Sequence, residues 1–153
     1  MRLERAGQAI KNAANRQRST AMSSVIEQWH QVVKHQDAQG LDALLAEDVV
    51  FHSPVVHTPQ TGKKITRLYL MAAMQVLNAP GHFSYLREVE QGNHAVLEFE
   101  TLIDGVKING VDMIEWNDAG QIIDFKVMVR PLKAINAIHQ AMGSMLEAMK
   151  PKN

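Results

Sequence analysis

The sequence of 153 residues contains no cysteine. This absence excludes a disulfide framework, a thiolate nucleophile and a zinc site built on cysteine ligands. A cysteine-free chain suits a reducing compartment, and we expect a cytoplasmic protein. The formal net charge is zero, so the chain has no overall field that would attract a polyphosphate. We therefore do not expect nucleic acid as a partner.

Long apolar runs are also lacking. The longest nearly unbroken one, LYLMAAMQVL at residues 68–77, is about half of the ~20 residues that span a bilayer. Residues 1–20 carry five basic residues against the single acid Glu4, without the apolar core of a secretory signal. A membrane-surface helix is the alternative there, but Leu3 and Ile10 offer little apolar area. We interpret residues 1–20 as a basic N-terminal extension, partly helical or frayed, and expect no membrane partner.

What the sequence does contain is typical of a folded domain. Hydrophobic residues make up 46% of the chain and charged residues 21%, which are ordinary values for globular proteins. The length fits one domain, because domains usually have roughly 100 to 200 residues. We predict a single domain over residues 21–150.

Apolar residues spaced three and four apart predict four helices. The first covers Ser24 to Lys34 and is capped by Ser23 or Ser24, and a short second helix follows Gly40. The third covers roughly residues 63–78, and an amphipathic helix over residues 132–150 closes the chain. The second helix places three leucines on one side: Leu41, Leu44 and Leu45.

Strands are predicted between these helices. A brief β-rich run, VVFHSP, ends at Pro54, and residues 53–62 read as a loop. Four strand-like runs follow the third helix, and their short turns, such as Asp104-Gly105, imply antiparallel neighbours. No crossover helix separates these four runs, which disfavours a parallel βαβ fold. The order of elements predicts an α+β domain in which helices cover one face of an antiparallel sheet.

The last two strands form a hairpin, NGVDMIEWNDAGQIIDFKVMVRP, with one acid among apolar residues. A loop over residues 117–120 would set Asp112 opposite Phe125 and Ile114 opposite Ile123. The alternation in the second strand makes the face of Ile123 and Phe125 the core face, so Asp112 is predicted to point inward. A buried carboxyl has a raised pKa unless it is paired.

Two interpretations of Asp112 stay open. It is either a core acid satisfied by a tyrosine, a histidine or backbone N–H groups, or the acid of a pocket. In the pocket it would donate when protonated and act as a base when ionised, and Tyr85 or Tyr69 would supply a hydrogen bond. By the same alternation Glu98, Glu100 and Arg130 are expected on the opposite, outer face of the sheet.

Three phrases resemble the NTF2-like or SnoaL-like superfamily: GLDALLAEDVVFHSPVV, TGKKI and VDMIEWNDAGQIIDFKVMVRP. The superfamily includes nuclear transport factor 2, ketosteroid isomerase, limonene epoxide hydrolase and polyketide cyclases. The resemblance implies a cystatin-like cone, with N-terminal helices on a curved antiparallel sheet that encloses a pocket, and a C-terminal helix. It also implies a homodimer formed through the outer face of the sheet.

The resemblance separates this chain from two of those activities. Asp112 falls where ketosteroid isomerases hold a protonated oxyanion-hole aspartic acid. Ser53 falls where they hold the general base, and serine cannot abstract a proton from carbon unaided. The aspartate, arginine and aspartate of limonene epoxide hydrolases correspond to Phe99, Thr101 and Val127. Neither catalytic set is complete, so whether the protein is an enzyme stays open.

These observations together define a candidate site with an acid, two bases and a set of ligand-binding residues. Asp112 is the candidate acid, and His52 and His57, in a loop that the resemblance places at the pocket mouth, are candidate bases. The candidate ligand-binding residues are Trp29, Ser53, Val55, Tyr69, Tyr85, Phe99, Thr101, Ile114, Trp116, Phe125 and Val127. No metal-ligand spacing is present, and we expect neither a metal nor a cofactor.

The expected partner is a small hydrophobic organic molecule. Two alternatives remain: an isomerase or polyketide-cyclase-like enzyme that uses Asp112, and a non-catalytic dimeric interaction protein. The closing helix carries a stripe of methionines, Met142, Met145 and Met149, which we expect to pack against the sheet or a second subunit, with a ligand-covering role as the alternative.

Overall fold

The computed structural model describes residues 23–78 and 81–152. The predicted basic extension, residues 1–20, lies outside the described residues. Helix α1, Val25–His35, begins at a capping box, in which the Ser24 side chain accepts from the N–H of Glu27 and the Glu27 carboxylate accepts from the N–H of Ser24. The predicted first helix and its cap at Ser24 are confirmed. Its buried face consists of Val25, Ile26, Trp29, Val32 and Val33.

The second helix begins earlier than predicted. Helix α2, Ala38–Leu44, starts at Asp37, whose side chain accepts a hydrogen bond from the N–H of Gly40 at 3.0 Å. Gly40 lies inside the first turn of this helix. Its hydrogen bond to the capping carboxylate compensates for the low helix propensity of glycine. Leu45 was expected on the helix but is the first residue of strand β1, Leu45–His52.

The third helix follows the prediction closely, whereas the predicted loop, residues 53–62, contains a short strand that was not predicted. A two-residue strand β2, Gln60–Thr61, precedes helix α3, Lys63–Leu77. Gly62 lies between them with a φ of 110°, a value that residues with a Cβ atom rarely adopt. The chain can therefore turn sharply from β2 into α3. No helix among the described residues is long and apolar enough to cross a membrane.

Four strands and a closing helix complete the fold: β3 Ser84–Gln91, β4 His94–Ile103, β5 Val106–Trp116, β6 Ile122–Arg130 and α4 Leu132–Ala148. The sheet has six strands in the order β2-β1-β6-β5-β4-β3. Strands β1 and β6 are parallel, whereas the other neighbours are antiparallel. The antiparallel neighbours predicted for the last four strands are confirmed. The pairing of β1 with β6 is parallel, because the long chain between these two strands permits a parallel return. The α+β class and the cystatin-like architecture are confirmed.

The hairpin register differs from the prediction by two residues. Asp112 lies opposite Val127, and Ile114 lies opposite Phe125. A bulge near Trp116 and a turn closed by the N–H of Gln121 on the Asn117 side chain lengthen the connection. An even shift keeps each side chain on the same face, so the inward direction of Asp112 is confirmed although its partner is not.

The bulge also changes the first core residue of β6. Ile122 is fully buried there, whereas Ile123, which was expected in the core, is only half-buried. On the outer face, Glu98 accepts hydrogen bonds from Arg87 and Asn109, and Arg130 is exposed and donates to Asn109. The predicted outward direction of Glu98 and Arg130 is confirmed.

Candidate functional site

A cavity of about 260 Å³ lies between the inner face of the sheet and the helices. Ligand pockets usually have volumes of roughly 300 to 1,000 Å³, and a dry apolar cavity of about 150 Å³ already admits benzene. The cavity is therefore of a size for a small organic molecule. Its apolar walls come from every layer of the fold, and helix α4 contributes Ile138, Met142 and Leu146.

Asp112 lies at the floor of this cavity. It belongs to the inner face of β5, between Leu97 of β4 and Val127 of β6, and only 6% of its surface is exposed. The alternation of the strand forces this direction, because Ile114 and Gly110, two residues away on either side, are buried too. The floor of an apolar cavity thus carries a carboxyl group.

A chain of two hydrogen bonds holds the carboxyl. The hydroxyl of Tyr85 on β3 donates to Oδ2 of Asp112 at 2.7 Å. The indole Nε1–H of Trp29 on α1 donates in turn to Oη of Tyr85 at 2.9 Å. The expectation that Tyr85 bonds to Asp112 is confirmed, and Trp29 joins the sheet to the helix layer through the same chain.

Burial governs the protonation of both groups. It raises the pKa of Asp112 from its ordinary value of 3.8 to about 7, against the smaller lowering by the hydrogen bond from Tyr85. The pKa of Tyr85 is raised well above its ordinary value, first by burial and then by the charge of Asp112. Near neutral pH the site therefore holds a phenol that keeps its proton beside an acid that can exchange one.

Aromatic rings form much of the wall around this acid. The ring of Phe83 stacks on Phe99 at 5.5 Å and meets Tyr85 edge-on at 5.0 Å. Gly110 makes room for Phe99, because a Cβ at that position would lie 2.5 Å from the Phe99 ring. The glycine thus leaves the space that the Phe99 ring occupies beside the sheet.

Most of the sequence-predicted site residues do line the cavity. Those brought together are Asp112, Trp29, Ser53, Val55, Tyr69, Tyr85, Phe99, Phe125 and Val127. Ser53 is turned to the backbone, since its Oγ accepts from the N–H groups of Val55 at 3.1 Å and Val56 at 3.3 Å. The hydroxyl at the position where the resemblance implied a base therefore stabilises the turn after β1.

Three predicted ligand-binding residues lie away from the cavity walls. The Thr101 hydroxyl donates to the carbonyl oxygen of Leu77 at 2.8 Å and ties β4 to the end of α3. Ile114 is buried in the core cluster. Trp116 packs against the edge of that cluster near the hairpin turn. These three side chains pack in or beside the core, or bond to the end of α3, and do not border the cavity.

The two predicted histidines do not line the cavity either. His52 follows the inward-facing Phe51, so it points to the outer face, where its Nε2 lies 2.9 Å from Oδ2 of Asp124. His57 is exposed in the loop after β1. The expectation that these side chains face the pocket is therefore corrected, because the alternation of β1 sends His52 outward and the loop carries His57 into solvent.

Helix α4 contributes two cavity residues that were not predicted from the sequence, His139 and Leu146, and also Met142, for which a ligand-covering role was the alternative expectation. His139, Met142 and Leu146 lie on one side of the helix at spacings of three and four and line the cavity. Met149 instead lies beside α3 in a separate surface groove. The helical period of the stripe was visible in the sequence, whereas the space beneath it depends on how α4 crosses the sheet. Among residues 23–78 and 81–152 no group of three metal-ligating side chains is close enough to hold a metal ion.

Comparisons with known proteins agree with this architecture. The sequence profile of the SnoaL-like domain matches residues 26–125. A steroid delta-isomerase from Pseudomonas aeruginosa is 34% identical, with a TM-score of 0.76 over 81% of this chain and 90% of that one. A protein with a cystatin-like fold from Silicibacter pomeroyi is also 34% identical, with a TM-score of 0.73 over 80% of this chain and 85% of that one.

A more distant structure shows the fold alone. An NTF2-like protein from Mesorhizobium loti is 20% identical, with a TM-score of 0.61 over 70% of this chain and 88% of that one. No curated protein sequence matches the chain significantly.

Proposed function

The chain belongs to the SnoaL-like domain family, and on that premise we propose that it binds a small, uncharged, hydrophobic organic molecule with one hydrogen-bond acceptor. The observation that carries the proposal is the position of Asp112 at the floor of an apolar cavity of about 260 Å³. An apolar pocket with a few convergent polar groups and one acid of perturbed pKa is the usual form of a small-molecule site.

Counting donors and acceptors supports an acceptor on the ligand. In the protonated site Trp29, Tyr85 and Asp112 each bring one polar hydrogen, and the two hydrogen bonds of the chain use two of them. We infer that the remaining hydrogen, on the carboxyl of Asp112, is directed into the cavity that this residue lines. A carbonyl or ether oxygen of a ligand would accept it, and an unfilled donor in an apolar space is costly.

The charges of the walls support an uncharged ligand. The described residues that line the cavity include no lysine or arginine. A carboxylate or phosphate on the ligand would therefore lose its hydration without gaining a lysine or arginine partner. Ionised Asp112 would in addition repel it.

A matched pair of compounds tests this proposal. We expect 2-acetylnaphthalene to raise the melting temperature more than 2-isopropenylnaphthalene, which has nearly the same shape but no oxygen. At a ligand concentration of about one hundred times Kd the stabilisation is about 2.7 kcal/mol. The ketone should bind about tenfold more weakly for each pH unit above the pKa of Asp112, whereas Asp112→Asn should bind it equally at all these pH values. A broad panel of ketones and lactones that leaves the melting temperature unchanged contradicts the proposal.

An isomerase activity is the second candidate, favoured by the 34% identity to the Pseudomonas aeruginosa steroid delta-isomerase. In such a reaction a base removes a proton from the carbon between a carbonyl and a double bond, and the same proton returns to the far carbon of that double bond. Asp112 would donate a hydrogen bond to the oxygen on which the enolate charge develops. Since Ser53 is turned to the backbone, His139 is the histidine of the cavity wall that would carry the proton.

The assay for this candidate is the ultraviolet absorbance of a conjugated ketone formed from a β,γ-unsaturated one. Asp112→Asn and His139→Gln should each lower turnover, while His52→Gln, which alters only the outer face, should not. Turnover that is unaffected by Asp112→Asn removes this residue from the mechanism.

The outer face of the sheet supports a proposal of self-association. Val89 of β3, Val96 of β4 and Met113 of β5 lie opposite one another in register, and each is more than a third exposed. A row of exposed apolar side chains across three strands is a surface that a second copy of the chain would cover. Sedimentation should show a dimer that Val96→Glu converts to a monomer; a wild-type monomer contradicts this part.

A further inference from the structure

We propose that Trp29 is a positioning residue for Asp112: its indole N–H occupies one acceptor position of the Tyr85 hydroxyl and thereby directs the hydroxyl proton of Tyr85 to Asp112. This inference rests on the proposed function, because it assigns how the acid of that cavity is held. Trp29 acts from its buried position on α1 and does not need to contact the ligand for this role.

The chemistry of the three groups gives the chain one direction. An indole N–H can only donate, so the 2.9 Å contact between Trp29 and Tyr85 makes the phenol oxygen the acceptor. The proton of a phenol lies near the ring plane, because the oxygen is conjugated with the ring, and two in-plane positions are available to it. Trp29 occupies one of them. The proton takes the other, which faces Oδ2 of Asp112 at 2.7 Å.

Packing keeps both donors in place. Trp29 is only 3% exposed, and its ring lies 4.9 Å from that of Phe125. The Tyr85 ring is held edge-on by Phe83 at 5.0 Å and by His30 at 5.1 Å. Neither ring can leave the chain of hydrogen bonds without disturbing its aromatic neighbours. The direction of the Tyr85 proton is therefore a fixed property of the folded site.

The consequence is a stronger hydrogen bond to the ionised form of Asp112. Donation from Trp29 polarises the Tyr85 hydroxyl and makes it a better donor. The Tyr85 bond opposes the effect of burial and lowers the pKa of Asp112. Loss of the indole N–H should therefore raise the pH at which Asp112 ionises, by roughly half a unit for a cooperative effect of the usual size.

Other titratable groups surround the chain and must be separated from Asp112. His30 of α1 and Glu88 of β3 form a pair behind Tyr85, with 2.7 Å between His30 Nε2 and Glu88 Oε1. His139 of α4 and Tyr69 of α3 line the same cavity. His30→Gln and His139→Gln remove the imidazoles of this pair and of the cavity wall one at a time.

The first experiment follows the indole N–H signals by ¹H–¹⁵N NMR as the pH is changed. The chain has two tryptophans, and Trp116→Phe assigns the Trp29 signal. We expect that signal to shift with a midpoint near the pKa of Asp112, to stop shifting in Asp112→Asn, and to keep its midpoint in His30→Gln and His139→Gln. A Trp29 signal that is unaffected by the ionisation of Asp112, or whose midpoint disappears when either histidine is replaced, overturns the inference.

The second experiment removes the N–H itself. Trp29→Phe should raise the Asp112 midpoint, read from its carboxyl ¹³C shift, by roughly half a unit. Where that variant does not fold, benzothienylalanine incorporated in a Trp116→Phe background replaces the N–H with sulfur and preserves the shape. Phe125→Leu is the matched control, since it removes ring packing on Trp29 but keeps the N–H and should keep the coupled titration. An unchanged Asp112 midpoint without the N–H overturns the inference.

These experiments use no ligand, so they fail independently of the proposed function. Coupled titration without ligand binding would leave the role of Trp29 intact and contradict the binding proposal. Ligand binding together with a Trp29 signal that does not follow the ionisation of Asp112 would support the binding proposal and contradict the role of Trp29.

Discussion

Replacing Asp112 with asparagine should change how the stability of the protein depends on pH. Asparagine keeps an oxygen that can accept from Tyr85 but cannot ionise. In the wild type, burial raises the pKa of Asp112 from 3.8 to about 7. Between these two values the native state holds a proton that the unfolded state has released, so the free energy of unfolding falls as the pH rises. Below 3.8 and above about 7 this group adds no slope.

The size of the effect follows from the shift in pKa. One pKa unit corresponds to about 1.4 kcal/mol, so the whole shift costs the wild type about 4 kcal/mol. Between about pH 4.5 and about pH 8 the ionisation of Asp112 lowers the free energy of unfolding of the wild type by about 3 kcal/mol. The variant cannot ionise at this position and lacks this fall. The free energy of unfolding of Asp112→Asn, relative to wild type, should therefore increase by about 3 kcal/mol across that interval.

Urea unfolding at a series of pH values measures this difference. Groups other than Asp112 contribute to both proteins and cancel when the two curves are subtracted. Asp118→Asn removes the same charge from an exposed turn position and serves as the control. A difference between Asp112→Asn and wild type that stays constant within about 0.5 kcal/mol from acid to alkaline pH would show that the pKa of Asp112 is not raised in the folded protein.

Three further predictions concern the groups around the site. Gly110→Ala should lower the free energy of unfolding by about 1 to 3 kcal/mol in the same assay, because the new methyl group meets the Phe99 ring and a backbone oxygen. Gly143→Ala, in an open position of α4, should instead raise it by up to about 1 kcal/mol, and a loss there would contradict this. Ser24→Ala removes the capping box of α1 and should cost about 1 kcal/mol without altering ligand affinity.

The direction of Asp112 was predictable from the sequence for a specific reason. Alternation along a strand depends only on whether positions are odd or even, so an error of two residues in the hairpin register left Asp112 on the core face. The bulge near Trp116 that caused the error depends on the local turn, and no periodicity records it. The other three described helices were equally predictable, since caps such as Ser24 and apolar spacing are local signals, whereas the start of α2 was not.

The shape of the cavity was not predictable in the same way. Ile114 and Phe125 face inward alike, yet Ile114 is covered by the core whereas Phe125 borders open space. That distinction depends on where the helices cross the sheet, which is a tertiary property. His52 is different, because the alternation of Val49 and Phe51 already indicated its outward direction. The family resemblance placed the loop of His52 at the pocket mouth, and for that reason His52 was expected to face the pocket although the strand alternation indicated the opposite.

The titration of Asp112, followed by its carboxyl ¹³C signal with and without 2-acetylnaphthalene, tests whether a protonated acid in the cavity binds the ligand. We expect a midpoint near the pKa of about 7 in the free protein. We expect a higher midpoint in the complex, since the ketone accepts a hydrogen bond from the protonated acid. A midpoint near the ordinary aspartic acid pKa of about 4 in the free protein, or a lower midpoint with the ketone bound, would contradict it.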